Sequence, residues 1–247
     1  PYLMNSARNS IKDFFNLGVT LNNGITLSGG TENSRTYFSY NNTYQTGLIP
    51  NNDFRRNNVM LKEAFSLFDK RVNISTSLNW IHQKTNNAPV VGKALSTLYP
   101  LYRTPADIDM RYFKHNYKHI GTRADNIVSD PEKGNLKLAG QPVQTWYWYD
   151  QYLNNPYWVA NMYNDVQKRD RIMGNITLDA IIWKNIKYQT RFSVDYVLQN
   201  NLNEEYAGMN RVGFDYVGGK YYSSDSRTSD IYNDHMVSYN ERLDDKV

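Results

Sequence analysis

The sequence contains no cysteine, no long apolar run and no marked excess of charge of either sign. Without cysteine, this chain has no disulfide bond, no thiolate metal ligand and no catalytic thiol. No stretch approaches the ~18 to 20 apolar residues that a transmembrane helix needs. The 28 Lys and Arg residues stand against 24 Asp and Glu residues and are scattered along the chain. We therefore expect no nucleic-acid partner.

Aromatic residues are abundant instead: they make up 14% of the 247 residues, and 21 of them are tyrosines. The mean hydropathy is nevertheless −0.70, because Asn, Ser, Thr and charged residues dilute the apolar side chains. That mixture suits β-strands with one polar and one apolar face. The chain begins with Pro1 and shows no signal peptide, so we expect it to be part of a longer protein.

Apolar and polar residues alternate in seven segments of the sequence. In residues 35–45, for example, Phe38 and Tyr40 alternate with Ser39 and Asn41. A period of two residues is typical of a strand with two unlike faces. An Asn-Gly pair at 23–24 is a hairpin signature, but a turn there would leave two short stubs, so we predict one continuous strand. The predicted strands are about 17–28, 35–45, 59–67, 72–80, 171–182, 186–198 and 231–243.

The connections between these strands alternate in length. Short turns such as "FDKR" and "WKN" alternate with longer connections, and two of the latter, about 83–168 and 199–228, are polar and without a period. Compact soluble domains seldom contain such long irregular segments. Short turns at one end and long loops at the other are typical of outer-membrane β-barrels. The pattern predicts an all-β fold of about seven antiparallel transmembrane strands, with the two long loops outside the cell.

In such a barrel one face of each strand meets lipid and the other meets a wet lumen. A soluble sandwich would pack one face on a second sheet, which does not suit a charged row such as Lys187, Arg191 and Asp195. We predict that the polar side chains facing the lumen include Arg35, Asn41, Gln45, Arg171, Asp179, Lys187, Arg191 and Asp195. The apolar side chains predicted to face lipid are Leu17, Val19, Phe38, Tyr40, Leu61, Phe65, Ile74, Leu78, Ile176, Leu178, Phe192 and Val194.

The first long loop contains the aromatic stretch "TWYWYDQYLNNPYWV". Flat rings beside Asn and Asp suit a sugar-binding surface, and aromatic anchors also suit a protein interface. The alternative is that these rings pack the loop upon itself. The candidate residues for binding a ligand or partner are Trp146, Trp148, Tyr149 and Tyr152.

Other groupings carry little chemistry. His115 and His119 are spaced for one helical face, and Asp107 and Asp109 could offer carboxylates to calcium, but solvated loop residues explain both pairs better. No Ser-His-Asp grouping, phosphate loop or paired-carboxylate motif stands out. We expect no catalytic residue, no metal and no cofactor.

Five motifs occur in order: "SGG" followed by "YFSY", then "GLIPN", "NPYW" and the turn "WKN". With their flanking segments they resemble the SusC/RagA family of TonB-dependent outer-membrane transporters over nearly the whole chain. The resemblance implies a barrel of about 22 strands closed around an N-terminal plug. It also implies a SusD-like surface lipoprotein over the extracellular mouth, and assigns Tyr157 and Trp158 to a family-wide scaffold motif.

The resemblance implies active import of a glycan or peptide nutrient across the bacterial outer membrane. This sequence shows no plug, no Ton box and no final barrel strand, so coupling to the TonB complex is expected through an N-terminal part outside it. Membrane lipid is the other expected partner. Two alternatives remain: a secreted all-β carbohydrate-binding module with the aromatic loop as its site, and a passive porin without a plug.

Overall fold

The computed structural model describes residues 11–90, 92, 95–122, 129–130, 134–135, 139–147, 153–209 and 218–241. After a 3₁₀ helix at Lys12–Phe14, the strands are β1 (Val19–Gly30), β2 (Ser34–Thr46), β3 (Asp53–Leu67), β4 (Val72–Asn86), β5 (Lys118–Ile120), β6 (Ser129–Asp130), β7 (Gly134–Asn135), β8 (Pro142–Gln144), β9 (Tyr163–Trp183), β10 (Ile186–Glu205) and β11 (Lys220–Tyr239). The helices are α1 (Leu98–Tyr102), α2 (Met110–His115) and α3 (Pro156–Met162). None of the helices in these ranges is long and apolar enough to cross a membrane.

Seven strands form one antiparallel sheet in the order β1-β2-β3-β4-β9-β10-β11. The remaining short strands pair as β5 with β8 and β6 with β7, within the connection between β4 and β9. The fold is therefore all-β, and every predicted strand is present. β1 runs without a break through Asn23 and Gly24, as predicted.

The strands are longer than predicted on the side of the long connections. β4 continues to Asn86, β9 begins at Tyr163 and β10 ends at Glu205, while β11 occupies 220–239 instead of the predicted 231–243. The predicted loops 83–168 and 199–228 shorten accordingly to 87–162 and 206–219. In the added segments polar residues predominate on both faces of each strand, so the alternation is lost although the backbone pairing continues.

The connections sort by length between the two ends of the sheet. The turns 31–33, 68–71 and 184–185 lie at one end. The connections 47–52, 87–162 and 206–219 lie at the other end. The segment before β1 lies at that end too, since Val19 is opposite Thr46. The alternation predicted from the sequence is thus present in the structure.

Cross-strand register separates two faces of the sheet, which we call the apolar face and the polar face. On the apolar face, Leu61 lies opposite both Phe38 and Leu78. Leu17 precedes β1, and the other predicted lipid-facing residues all occupy this face. Eight of the twelve side chains are exposed, as in Leu78 (50%) and Phe192 (46%), and Phe38, Ile74, Leu178 and Val194 are partly exposed. No second sheet covers them in the described part of the chain.

The apolar face has the height of a membrane core. On β10 it runs from Ile186 to Tyr196, about 33 Å along the strand. A strand tilt of about 40° reduces this to about 25 Å, the height of the apolar band of outer-membrane barrels. Exposed aromatic side chains lie at both ends, with Trp183 and Tyr239 beside the short turns and Trp80 near the other edge. This distribution matches the aromatic girdles of membrane barrels.

Candidate functional site

The eight polar residues predicted to face a lumen all lie on the polar face of the sheet. Arg35, Asn41 and Gln45 occupy β2, and the other five occupy β9 and β10. Their common side follows from the register, because residues separated by an even number along a strand share a face. That this face lines a lumen stays a prediction.

On the polar face, two arginine–aspartate ion pairs join strand β9 to β10 and strand β10 to β11. Arg171 Nε donates to Asp195 Oδ1 at 2.8 Å, and a second guanidinium N–H bonds the other carboxylate oxygen. Arg191 Nε lies 3.1 Å from both carboxylate oxygens of Asp234. Bidentate pairs of this kind fix side-chain direction as well as adding attraction. Four of the charges on this face are thus committed to one another.

The polar face is also the concave one. One hollow of about 750 Å³ includes Arg35 and Lys62 in its lining, a second lies between Asp179 and Lys187, and a third lies beside Asp195. The polar-face residues of neighbouring strands line all three, so the sheet curves with its polar side inward. A ligand path along this wall would meet hydroxyl, amide and paired charged groups.

Every buried apolar side chain in the described ranges lies in the long connections and in the segment before β1. We call this region the loop assembly: residues 11–18, 47–52, 87–162 and 206–219 as far as they are described. One cluster packs Phe14, Leu101, Met110 and Tyr157 together, and another is centred on Trp158. In the described part of the chain, the hydrophobic core therefore lies above the sheet and none lies against it.

Trp146 belongs to the edge of this core. Its ring centroid lies 4.9 Å from that of Phe113 and 4.5 Å from that of Tyr147. Trp146 and Tyr147 are half-buried, which favours packing of the loop on itself for the start of the aromatic stretch. The other three candidates of this stretch, Trp148, Tyr149 and Tyr152, lie outside the described residues.

Asparagine side chains tie the loop assembly together at the ends of the strands. Asn155 caps α3 by accepting a hydrogen bond from the Tyr157 N–H at 2.8 Å, and its own amide donates to the Thr145 carbonyl at 2.7 Å. Asn51 Nδ2 donates to the Ala160 carbonyl at 2.9 Å. The "GLIPN" and "NPYW" motifs, far apart in sequence, thus meet at one place. Sequence reasoning missed both asparagines, although Asn before Pro is a helix-start pattern.

Tyr157 extends this network to the segment before β1. Its hydroxyl donates to the Asp13 carbonyl at 3.1 Å, and its side chain is buried against Phe14 with ring centroids 5.0 Å apart. Burial, with a smaller effect from the carboxylates of Asp13 and Asp109, raises the pKa of Tyr157 to about 12. The phenol is therefore neutral at physiological pH and keeps its hydrogen bond.

The weaker candidates for metal ligands have structural partners. Asp109 caps α2 by accepting from the Arg111 N–H at 2.9 Å and pairs with the Arg111 guanidinium, which lowers the pKa of that carboxyl. His119 Nδ1 lies 2.9 Å from Thr145 Oγ1. These contacts assign both residues to local structure.

Comparison with known proteins gives a likeness in fold. No protein-family model and no curated protein match the sequence. The structure is similar to the RagAB peptide importer in its closed-closed state, with a TM-score of 0.67 and 14% identity over 98% of this chain and 24% of that chain. The open-open state gives 0.66 and 14% over 96% and 24%. The outer membrane transporter YddB from Escherichia coli gives 0.32 and 13% over 90% and 25%, too low to carry an argument.

This chain spans about a quarter of the importer chain that it matches. Within that section the likeness covers the whole sheet and the connections above it. The seven strands therefore have the fold of a section of a β-barrel transporter.

Proposed function

We propose that this chain forms part of the barrel wall of a TonB-dependent outer-membrane transporter of the SusC/RagA kind. The transporter imports a glycan or a peptide. One observation supports this above the others: seven antiparallel strands carry an exposed apolar face about 25 Å high behind a concave polar face. Both faces of such a sheet meet a solvent of matching polarity only if lipid covers the apolar face and water covers the polar face.

The polar face forms part of the wall around the cargo path. Its lumen-facing residues are those named above, from Arg35 on β2 to Asp195 on β10. Because Arg171 and Arg191 are each held by an aspartate, the wall is polar without offering these charges to every passing anion. Hydroxyl and amide groups suit both sugars and peptide backbones, and the likeness to the RagAB peptide importer adds support for a peptide.

A SusD-like surface lipoprotein covers the loop assembly in this proposal. Large side chains remain exposed there, including Tyr102 (70%), Tyr112 (58%) and Ile120 (65%). Exposed aromatic and aliphatic side chains beside a rigid core are what a protein interface buries. The long connections then lie on the extracellular side, and the TonB complex engages the transporter through parts outside this chain.

The alternative, a secreted carbohydrate-binding module, receives less support. Such a module needs a second sheet or helices over the apolar face, and the described residues supply neither. Trp146, the described member of its proposed binding surface, packs against Phe113.

The test uses the full-length gene in its own bacterium. Deletion should abolish growth on at least one oligosaccharide or peptide of a panel offered as sole nutrient, and the wild-type gene should restore it. Cell fractionation should recover the protein in the outer membrane together with a surface lipoprotein. Recovery in a soluble fraction, or undiminished growth of the deletion strain on every member of the panel, would overturn the proposal.

A further inference from the structure

Two lysines lie directly opposite each other on the apolar face. Lys84 of β4 pairs with Lys168 of β9 in the cross-strand register. Directly opposed residues have Cβ atoms about 4.5–5.5 Å apart, and like charges in such a pair are destabilising. We call these two residues the cation pair. An anion between them would turn the repulsion into attraction.

The carboxylates near the cation pair are engaged with other groups. Asp170 Oδ1 lies 2.8 Å from His82 Nδ1, and Asp225 accepts a hydrogen bond of 2.6 Å from Asn200. Asp53, at the start of β3, accepts a hydrogen bond of 2.8 Å from the Asn86 amide, and its other carboxylate oxygen lies 3.6 Å from Arg55 Nε. In the described part of the chain, no carboxylate oxygen lies within 4.0 Å of either lysine of the pair.

The cation pair lies just beyond the apolar band. Lys84 follows Trp80 by four residues on the same face, and Trp80 lies opposite Ile172. Four residues span about 13 Å of strand, or about 10 Å along the membrane normal at a tilt of about 40°. Tryptophan marks the boundary of the hydrocarbon, and the headgroup region extends about 5–8 Å beyond it. Flexible lysine side chains cover the remaining distance.

We propose that the cation pair binds the phosphate group of a lipid in the outer leaflet. This inference rests on the proposed membrane location of the sheet. The chemistry argues for a lipid over a free phosphate, because the same face continues, below the paired His82 and Asp170, as an apolar stripe through Trp80, Ile172 and Leu78. Acyl chains would lie on that stripe while the phosphate bridges the two ammonium groups.

The matched control is on the opposite face. Arg56 and Arg169 adjoin Arg55 and Lys168 in the chain, face the polar side and both lie opposite Gln83. The pair Arg56→Gln and Arg169→Gln removes the same charge at nearly the same height. The control differs from the pair Lys84→Gln and Lys168→Gln in the side of the sheet and in removing arginine instead of lysine.

The experiment measures lipid binding to the purified full-length protein by native mass spectrometry. The probes are phosphorylated lipid A, dephosphorylated lipid A and inorganic phosphate. The wild type and the arginine control should retain phosphorylated lipid A, and the lysine double variant should bind it roughly 20-fold to 30-fold more weakly. Equal retention of dephosphorylated lipid A, or equal binding by the lysine variant, would overturn the proposal. Inorganic phosphate binding as tightly as phosphorylated lipid A would also overturn it.

A second variant keeps the test decisive if the double variant Lys84→Gln and Lys168→Gln fails to assemble. Lys168→Glu places an acid opposite Lys84, so it should assemble at least as well as the wild type and still lose phosphorylated lipid A. Retention of the lipid by this variant would also refute the inference. Fractionation of the wild type distinguishes failure of the lipid site from failure of the proposed function. If the wild type imports cargo from the outer membrane but neither variant loses binding of phosphorylated lipid A, only the lipid site is refuted.

Discussion

Phe192 and Ser193 are neighbours in β10, yet their side chains lie on opposite sides of the sheet. Phe192 is opposite Ile176 on the apolar face, and Ser193 is opposite Asn175 on the polar face. The sequence alternation therefore corresponds to the two faces of the sheet.

This relationship predicts the outcome of single-cysteine labelling. The chain has no cysteine of its own, so Phe192→Cys and Ser193→Cys each add one thiol to it. In the full-length protein in outer membranes, cleared of any other cysteine, the first should react with a lipid-soluble maleimide and the second with a membrane-impermeant one. A reversed preference would show that the sheet faces its surroundings the other way round.

Asn51 connects the β2–β3 turn to α3, and its backbone is in the left-handed region with φ of 62°. Asn51→Gly keeps that backbone accessible but removes the side-chain hydrogen bonds to Ala160 and Asn161. Asn51→Ala also adds the steric cost of positive φ, about 1 kcal/mol or more. We expect loop stability to fall in the order Asn, Gly, Ala, with about 1–2 kcal/mol lost at the glycine step.

Limited proteolysis of the full-length protein measures this order through the rate of cleavage in the loop assembly. Asn33→Ala, in a short turn at the other end of the sheet, is the control and should leave the rate unchanged. Equal cleavage rates for the wild type and Asn51→Ala would show that the Asn51 hydrogen bonds do not stabilise the loop assembly.

How far the sequence predicted this molecule depends on whether neighbours in the chain or distant residues decide a feature. Alternation predicted the strand from Ile186 to Leu198, because successive residues there lie on the apolar face and the polar face in turn. It missed the continuation of β10 to Glu205, where polar residues occur on both faces. It also missed the loop core, since contacts such as Tyr157 with Asp13 join residues 144 apart. No local period encodes such a contact.

Trp146 and Trp148 test whether the aromatic stretch binds a partner. We expect replacement of both by Ala in the full-length protein to weaken association with the lipoprotein, or uptake, while barrel assembly stays intact. Loss of the half-buried Trp146 ring should cost the loop about 1–3 kcal/mol, less than a fully buried tryptophan. Co-purification of the lipoprotein and cargo uptake are the measurements.

Tyr112→Ala, which removes an exposed ring of the same loop assembly, separates a general loss of aromatic surface from the specific effect. If the tryptophan double variant keeps both lipoprotein binding and uptake, the stretch serves only to pack the loop. Faster proteolysis with unchanged binding would point to the same conclusion.

Tyr157 should make the loop assembly sensitive to alkali. Burial raises its pKa to about 12 from an ordinary value of about 10. The neutral phenol is the stabilised form, so its contribution is complete below about pH 10 and is lost as the pH rises from 10 to 12. Tyr157→Phe should cost about 1 kcal/mol near pH 7, through the lost hydrogen bond to the Asp13 carbonyl, and should flatten the alkaline loss.

Proteolysis of the loop assembly across this pH range, with Tyr112→Phe as control, measures the effect. The control should keep the alkaline transition of the wild type. A transition of the same size in Tyr157→Phe would assign the alkaline sensitivity to other groups.

Arg171 relieves a repulsion on the polar face. Asp195 lies directly opposite Asp230 in the register of β10 and β11, and like charges in that position are destabilising. The bidentate contact of Arg171 with Asp195 compensates one of the two carboxylates. Because the paired side chains are 37% and 30% exposed, water screens their attraction, and we expect Arg171→Met to lower the unfolding temperature only slightly. Adding Asp230→Asn to that variant should restore part of the loss, since it removes the uncompensated repulsion.

Thermal unfolding of the full-length protein in detergent measures the cycle, with Arg35→Met as a control for removing a cation from the same face. Strictly additive effects of the two substitutions would show that Arg171 does not relieve the repulsion between Asp195 and Asp230.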